Sequence, residues 1–146
     1  MGAERRAEAM WEGTLFEGQG RVSLVSSGAA SDLPVTWAAR TEEPAGKTSP
    51  EELIAGAHAA CFSMAFSNML AQNETPAERL EVAATSSFEK REAGMRLTKM
   101  HLDVVGTVPG IDSETFQTTA EKAKVGCPVS NAVAGNVEIS LTANLK

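Results

Sequence analysis

The chain has 146 residues, enough for one domain with a single hydrophobic core, and we expect one domain over residues 1–146. Hydrophobic residues make up 42% and charged residues 22%, a composition that excludes disordered and fibrous proteins. The formal charge of −6 argues against a nucleic acid or an anionic membrane surface as the partner. Two cysteines are too few for a disulfide-stapled secreted scaffold, so both thiols need another explanation.

The N-terminal third is predicted to form strands. The first twelve residues contain no apolar segment of the kind a secretory signal needs, so we expect a cytoplasmic protein with reduced thiols. Alternating apolar and polar residues then predict antiparallel strands near 8–16, 20–27 and 33–40, with Arg40 closing the third. Residues 41–48 contain proline and glycine and are predicted to form a loop.

A long helix is predicted next. Ser49 suits the N-cap, Pro50 the first helical position, and Glu52 stands three residues after the cap. Residues 53–73 carry no formal charge and are long enough to cross a bilayer, but several polar side chains interrupt them, so a buried helix is favoured over a membrane span. Because one small domain has little material to surround such a helix, we expect a homodimer.

The second half alternates strands and helices, which gives an α+β fold with antiparallel sheets around central helices. A hairpin is predicted from Leu80 to Val108, and a helix begins at Asp112 or Ser113 and stops near Gly126. A short helix then begins at Cys127-Pro128, and a strand over residues 136–145 closes the chain.

The two cysteines suit a reaction with a peroxide. Cys61 lies in the middle of the long helix, where a buried, inert thiol is the ordinary interpretation. Cys127 begins a helix, where free backbone N–H groups favour a thiolate. If one thiolate attacks a peroxide and becomes a sulfenic acid, the other thiol can condense with it to form a disulfide.

Such chemistry also needs a cation near the attacking sulfur. Arg40 and Glu51 are the candidate pair, since a guanidinium can serve a carboxylate and a thiolate together. The alternatives are a solvated strand end for Arg40 and a complement to the helix dipole for Glu51.

Three segments resemble one protein family. Residues 49–55 (SPEELIA), 58–65 (HAACFSMA) and 126–130 (GCPVS) look like the OsmC/Ohr family of thiol peroxidases, and the OsmC branch is the more similar. The likeness covers nearly the whole chain, including residues 11–13 (WEG) and 109–112 (PGID).

The resemblance implies an OsmC-like fold, with an intertwined homodimer and active sites at its interface. It implies reduction of organic hydroperoxides, and of hydrogen peroxide less efficiently, without metal, flavin or haem. Cys61 would be the attacking thiolate and Cys127 the resolving thiol, with Glu51 fixing Arg40 and Arg40 lowering the pKa of Cys61. A dithiol donor, of lipoyl type in this family, would recycle the disulfide.

Two other functions stay open from the sequence. One is a zinc site made by His58, Cys61, His101 and Cys127, although the short spacings of structural zinc sites are missing. The other is a dimer that binds a hydrophobic ligand without peroxidase activity.

Several single residues have an ordinary structural interpretation. His58 shares a helix face with Cys61 and could act as a base, but a core or interface histidine is the commoner case. The tryptophans are expected in the core. The apolar residues of the long helix are expected to line the core, the dimer interface or a substrate channel; they are Phe62, Met64, Phe66 and Met69.

Overall fold

The computed structural model describes residues 2–146, which divide into two compact units, Met1–Leu53 and Ile54–Lys146. In the first unit, three short strands form an antiparallel sheet in the order of the chain. They are β1 (Glu8–Glu12), β2 (Gln19–Ser23) and β3 (Leu33–Val35).

The third strand is shorter than predicted because a helix replaces its second half. The Thr36 hydroxyl accepts a hydrogen bond from the Ala39 N–H at 3.1 Å and caps helix α1 (Trp37–Thr41). The prediction of a strand over residues 33–40 is therefore wrong beyond Val35, and Arg40 lies on a helix rather than at a strand end.

Helix α2 (Pro50–Gln72) begins as the sequence predicts. The Ser49 hydroxyl accepts a hydrogen bond from the Glu52 N–H at 3.1 Å. By length and composition α2 could cross a membrane, with a mean hydropathy of 1.4 in its most apolar 18-residue window, of which 22% is buried. One face of α2 therefore packs in the core, whereas the opposite face, which carries small residues and Met64 and no charge after Glu52, is exposed in the single chain.

The second unit holds a three-stranded sheet. Strands β4 (Arg79–Arg91) and β5 (Gly94–Thr107) form the predicted hairpin, and helices α3 (Ser113–Gly126) and α4 (Pro128–Val133) precede β6 (Glu138–Leu145). β6 pairs with β5 in parallel, not antiparallel as predicted. The reason is that α3 and α4 form a crossover connection, which returns the chain to the end of the sheet where β5 begins.

Aromatic rings fill the core of the second unit. Phe62 and Phe66 of α2 are fully buried, as is Phe116 of α3, and the rings of Phe66 and Phe116 lie 5.0 Å apart. Gly106 of β5 allows this packing, because a Cβ atom there would lie 2.5 Å from the Phe116 ring. The α3 helix is held in place at its start by Asp112, whose carboxylate accepts from the Thr115 N–H at 2.8 Å.

Candidate active site

The predicted ion pair of Arg40 and Glu51 is present in the first unit. Arg40 Nη2 lies 2.7 Å from Glu51 Oε1, and Arg40 Nε lies 3.1 Å from both carboxylate oxygens. Their side chains are 31% and 11% exposed. Two donors on one edge of the guanidinium, Nε and Nη2, bind the carboxylate and fix the guanidinium plane, so Glu51 orients Arg40 as well as neutralising it.

An aromatic ring lies beside this pair, and no sequence pattern predicts it there. The Arg40 guanidinium carbon lies 5.8 Å from the centre of the Trp37 ring, and Phe16 meets Trp37 edge-on at 6.0 Å. Trp37 is half-buried and Trp11 is 42% exposed, so the expectation that both lie in the core is wrong for this chain alone. Both tryptophans line a cavity instead, and Trp11 lies on β1, an edge strand of the sheet.

That cavity has a volume of about 540 Å³ and is lined mostly by apolar side chains. Arg40 contributes the charged group of its wall. The apolar lining of the cavity comes from both sheet and helix residues: Ala9, Trp11, Leu15, Val22, Val35, Trp37 and Leu53. This combination can hold an apolar molecule that carries one polar end.

The two cysteines meet in the second unit. Cys61 on α2 is partly exposed, and Cys127, between α3 and α4, is fully buried. Both thiols are free and lie within hydrogen-bond distance of each other. This contact brings together the two sulfurs that the resemblance pairs, from positions far apart in the sequence.

The start of α4 serves Cys61 rather than Cys127. The Val129 N–H donates a hydrogen bond to the Cys61 sulfur, whereas the Cys127 side chain makes no capping hydrogen bond. The local prediction that Cys127 faces free N–H groups is therefore wrong, because its side chain belongs to the buried hydrophobic core of the second unit. The backbone N–H donor expected to bind Cys127 binds Cys61 instead.

Burial raises the pKa of the Cys61 thiol above its ordinary value. The Val129 N–H lowers that pKa, since it stabilises a thiolate, but Cys127 raises it further through its hydrogen bond and its charge. The net direction is upward, opposite to the lowered pKa that the resemblance implies. The second unit alone therefore favours the protonated form of Cys61, and a thiolate there needs an added positive charge.

His58 lies beside the cysteines and is completely buried. Its Nε2 atom lies 2.7 Å from the hydroxyl of Ser130, which is 4% exposed. Its Nδ1 atom is buried without a hydrogen-bond partner, and burial lowers the pKa of the ring, so His58 is neutral at neutral pH. The sequence marked His58 by its position, three residues before Cys61, but nothing marked Ser130 as its partner.

The four residues of the zinc alternative do not form one cluster. His101 lies on β5, where Ser140 and Thr142 hydroxyls occupy its two ring nitrogens at 2.7 and 3.1 Å. Across residues 2–146, no three His, Cys, Asp or Glu side chains are grouped to hold a metal ion. Two of the apolar residues of α2, Phe62 and Phe66, are buried in the core, which is one of the places expected for them.

Comparison with known proteins gives the family. A family model described as OsmC-like protein matches residues 43–142. The peroxiredoxin OsmC of Escherichia coli (strain K12) is 42% identical over 146 residues, which cover 100% of this chain and 99% of that protein. An organic hydroperoxide resistance protein of Xanthomonas axonopodis pv. citri (strain 306) is 33% identical over 97 residues, 65% of this chain and 66% of that protein.

The fold agrees with solved structures. The organic hydroperoxide resistance protein OhrB of Bacillus subtilis has a TM-score of 0.70 and 26% identity, covering 97% of this chain and 98% of that one. The 42% identity agrees with the OsmC branch, which residues 58–65 also favour. With a matching family model and a relative 42% identical over 99% of its length, this protein belongs to the OsmC-like family.

Proposed function

We propose that this protein is a cysteine-based peroxidase that reduces organic hydroperoxides to alcohols, and hydrogen peroxide less efficiently. The observation that carries the proposal is the contact between the free thiols of Cys61 and Cys127. Two neighbouring thiols can complete a peroxide reduction without a metal or an organic cofactor. The names of the relatives, peroxiredoxin and organic hydroperoxide resistance protein, support the same activity.

In the first step, the Cys61 thiolate attacks the hydroperoxide oxygen that carries hydrogen. The O–O bond breaks, Cys61 becomes a sulfenic acid, and the departing alkoxide takes a proton to leave as the alcohol. Arg40 supplies the positive charge that favours the thiolate, and Glu51 holds the guanidinium in one orientation. This role for Arg40 is supported by the family resemblance and by the need for a cation that the raised pKa of Cys61 creates.

In the second step, the Cys127 thiol condenses with the sulfenic acid. The sulfurs form a disulfide, and the sulfenic hydroxyl leaves with the Cys127 proton as water. A dithiol donor then reduces the disulfide by exchange and is itself oxidised to a disulfide, which returns both cysteines to thiols. A lipoyl-type donor fits the family resemblance, and a cytoplasmic location would keep such dithiols reduced.

The substrate class follows from the cavity in the first unit. Its walls are apolar except for Arg40, so an alkyl or aryl group can occupy it while the guanidinium meets the polar peroxide end. Hydrogen peroxide gains nothing from apolar walls, which accounts for the preference for organic hydroperoxides.

We also propose a homodimer whose interface includes the exposed face of α2. Only 22% of the most apolar window of α2 is buried in the single chain, and Met64 on that face is 67% exposed. An apolar surface of this length on a soluble protein calls for a partner surface, and a second copy of the chain is the partner that the family resemblance favours.

The catalytic assignment is tested with two cysteine variants. Because a serine hydroxyl is not ionised at neutral pH, Cys61→Ser should lower the consumption of cumene hydroperoxide by at least about a thousandfold. Cys127→Ser should still release one alcohol per chain but form no disulfide, so its intact mass lacks the loss of about two mass units expected of the wild type. Wild-type turnover by Cys61→Ser would refute the peroxidase mechanism.

The dimer is tested with a charge on the exposed face of α2. Met64→Glu should sediment as a monomer, since a buried carboxylate without a partner opposes association. Val125→Glu is the matched control, because Val125 is also an exposed apolar residue on a helix, at 70% exposure. If both variants keep the mass of the wild type, α2 does not form the interface.

A further inference from the structure

Besides the Val129 N–H bond to the Cys61 sulfur, two contacts between α2 and the segment that carries Cys127 form parallel pairs. His58 and Cys61 stand three residues apart on α2, and Cys127 and Ser130 stand three residues apart across the start of α4. Cys61 meets Cys127, and the neighbouring position on each side is joined by the 2.7 Å contact of His58 Nε2 with Ser130 Oγ. The thiol contact and the histidine–serine contact are thus adjacent turns of one packing arrangement.

The polar contact is costly for the fold. His58 is fully buried, its Nδ1 atom has no partner, and Ser130 is nearly as buried. An apolar pair of similar size would avoid the cost of burying an unpaired ring nitrogen. What a directional bond provides, and an apolar contact does not, is a fixed position of one segment along the other.

Cys127 depends on such positioning. It stands between two helices, α4 has only six residues, and the Cys127 side chain makes no capping hydrogen bond that would anchor its sulfur. The Asn131 amide donates to the carbonyls of Val125 and Cys127 at 3.3 and 3.2 Å, which braces the segment internally but not against α2.

We propose that His58 and Ser130 are positioning residues for the resolving step, whose hydrogen bond holds Cys127 against the sulfenic acid formed on Cys61. This inference rests on the proposed peroxidase function and deepens it. Its consequence is kinetic, because a sulfenic acid that is not resolved meets a second peroxide molecule and is oxidised to sulfinic acid, with water or an alcohol released. The bond therefore protects Cys61 against irreversible oxidation.

The test compares Ser130→Ala with Thr119→Val. Both changes remove one buried hydroxyl from the second unit, since Thr119 is 3% exposed and its hydroxyl donates to the Thr115 carbonyl at 2.7 Å. Each protein is mixed with cumene hydroperoxide, and two rates are measured in a single turnover: alcohol release, and disulfide formation by quenched intact mass. For Ser130→Ala, the ratio of disulfide formation to alcohol release should fall about tenfold, the loss expected for one hydrogen bond.

Sulfinic acid at Cys61, a gain of about 32 mass units, should accumulate in Ser130→Ala at peroxide concentrations that leave the wild type and Thr119→Val as disulfides. Ser130→Thr keeps the hydroxyl and should restore most of the ratio. Should Ser130→Ala fail to fold, His58→Gln provides the second variant, since its amide can still reach Ser130 and should give an intermediate ratio.

An unchanged ratio in Ser130→Ala would overturn the inference alone. The inference would also be wrong if Ser130→Ala and Thr119→Val slowed alcohol release and disulfide formation to the same extent, because a general loss of packing would explain that result. A wild-type chain that releases no alcohol would instead overturn the proposed function, and the inference with it.

Discussion

The Arg40–Glu51 pair of the first unit and the cysteine pair of the second unit handle burial in opposite ways. The side chains of Arg40 and Glu51 are 31% and 11% exposed, and three hydrogen bonds of 2.7 to 3.1 Å join them. The cysteines lie among apolar and neutral groups, with Cys127 fully buried and the neighbouring His58 kept neutral by burial. The ion pair thus lies where water still reaches the guanidinium, whereas the Cys127 sulfur is shielded from water and Cys61 is only partly exposed.

This difference separates two needs of the reaction. Burial keeps the Cys127 thiol among apolar groups, but burial also raises the pKa of Cys61 and disfavours the thiolate that the first step needs. The Val129 N–H is a neutral donor and does not offset the burial. A guanidinium that is already paired loses less hydration at an apolar site than a bare cation, because Glu51 occupies part of its donor set.

Removing the guanidinium has the largest expected effect on this comparison. Arg40→Met keeps most of the side-chain length and apolar contact but removes the charge, and kcat/KM for cumene hydroperoxide should fall about a hundredfold. The pH profile of Cys61 alkylation by iodoacetamide should also move to higher pH, since the thiolate loses its counter-charge.

Arg79→Met is the matched control for the loss of an arginine. Arg79 forms a similar pair with Glu81 at 2.7 Å, but their side chains are 71% and 50% exposed, so the control should keep both the rate and the alkylation profile. If Arg40→Met behaves like Arg79→Met, the charge of Arg40 does not stabilise the Cys61 thiolate, and the role proposed for Arg40 is wrong.

A smaller effect is expected when only the orientation of Arg40 is disturbed. Glu51→Gln keeps one acceptor for the guanidinium but removes the carboxylate charge, so kcat/KM should fall about tenfold while the alkylation profile moves less than in Arg40→Met. Glu52→Gln, an exposed acidic neighbour in the same turn of α2, should leave the rate unchanged. A Glu51→Gln loss as large as that of Arg40→Met would assign Glu51 a direct role in the reaction.

Local signals predict helices α2, α3 and α4 and the β4–β5 hairpin well, but they miss helix α1 and the parallel direction of β6. Ser49 and Asp112 cap α2 and α3 where the sequence places them, because a cap is decided by four or five consecutive residues. The parallel direction of β6 depends on where two intervening helices deliver the chain, which no short segment records. The sequence predicts a strand at Arg40, because a helix of five residues is too short to show a helical periodicity.

The site shows the same limit. The sequence and its family resemblance predict Cys61, Cys127, Arg40 and Glu51 as site residues, and the structure contains the predicted ion pair of Arg40 and Glu51. It assigned the backbone donor at the start of α4 to Cys127, the residue beside it in sequence, whereas Val129 donates to Cys61. Contacts between distant segments decided that donor and the His58–Ser130 bond, and the sequence alone could give neither.

The smallest predicted effect is on the free energy of unfolding and comes from the buried, neutral His58 beside the cysteines. Because burial lowers the pKa of His58 in the folded protein, the unfolded chain binds a proton near its ordinary pKa of about 6.5 when the folded chain does not. The free energy of unfolding should therefore be complete above about pH 6.5 and fall as the pH drops below it. Urea unfolding at about pH 7.5 and 5.5 measures this difference, above the range in which exposed carboxylates titrate.

The free energy of unfolding of His58→Gln should not show this difference between the two pH values, because glutamine does not bind a proton in this range. His101→Gln is the matched control, since its ring bonds hydroxyls on the sheet surface instead of lying fully buried. It should keep the pH dependence of the wild type. A wild-type protein equally stable at both pH values would show that His58 accepts a proton without cost. The surroundings of the cysteines would then tolerate a charge, as those of Arg40 and Glu51 do.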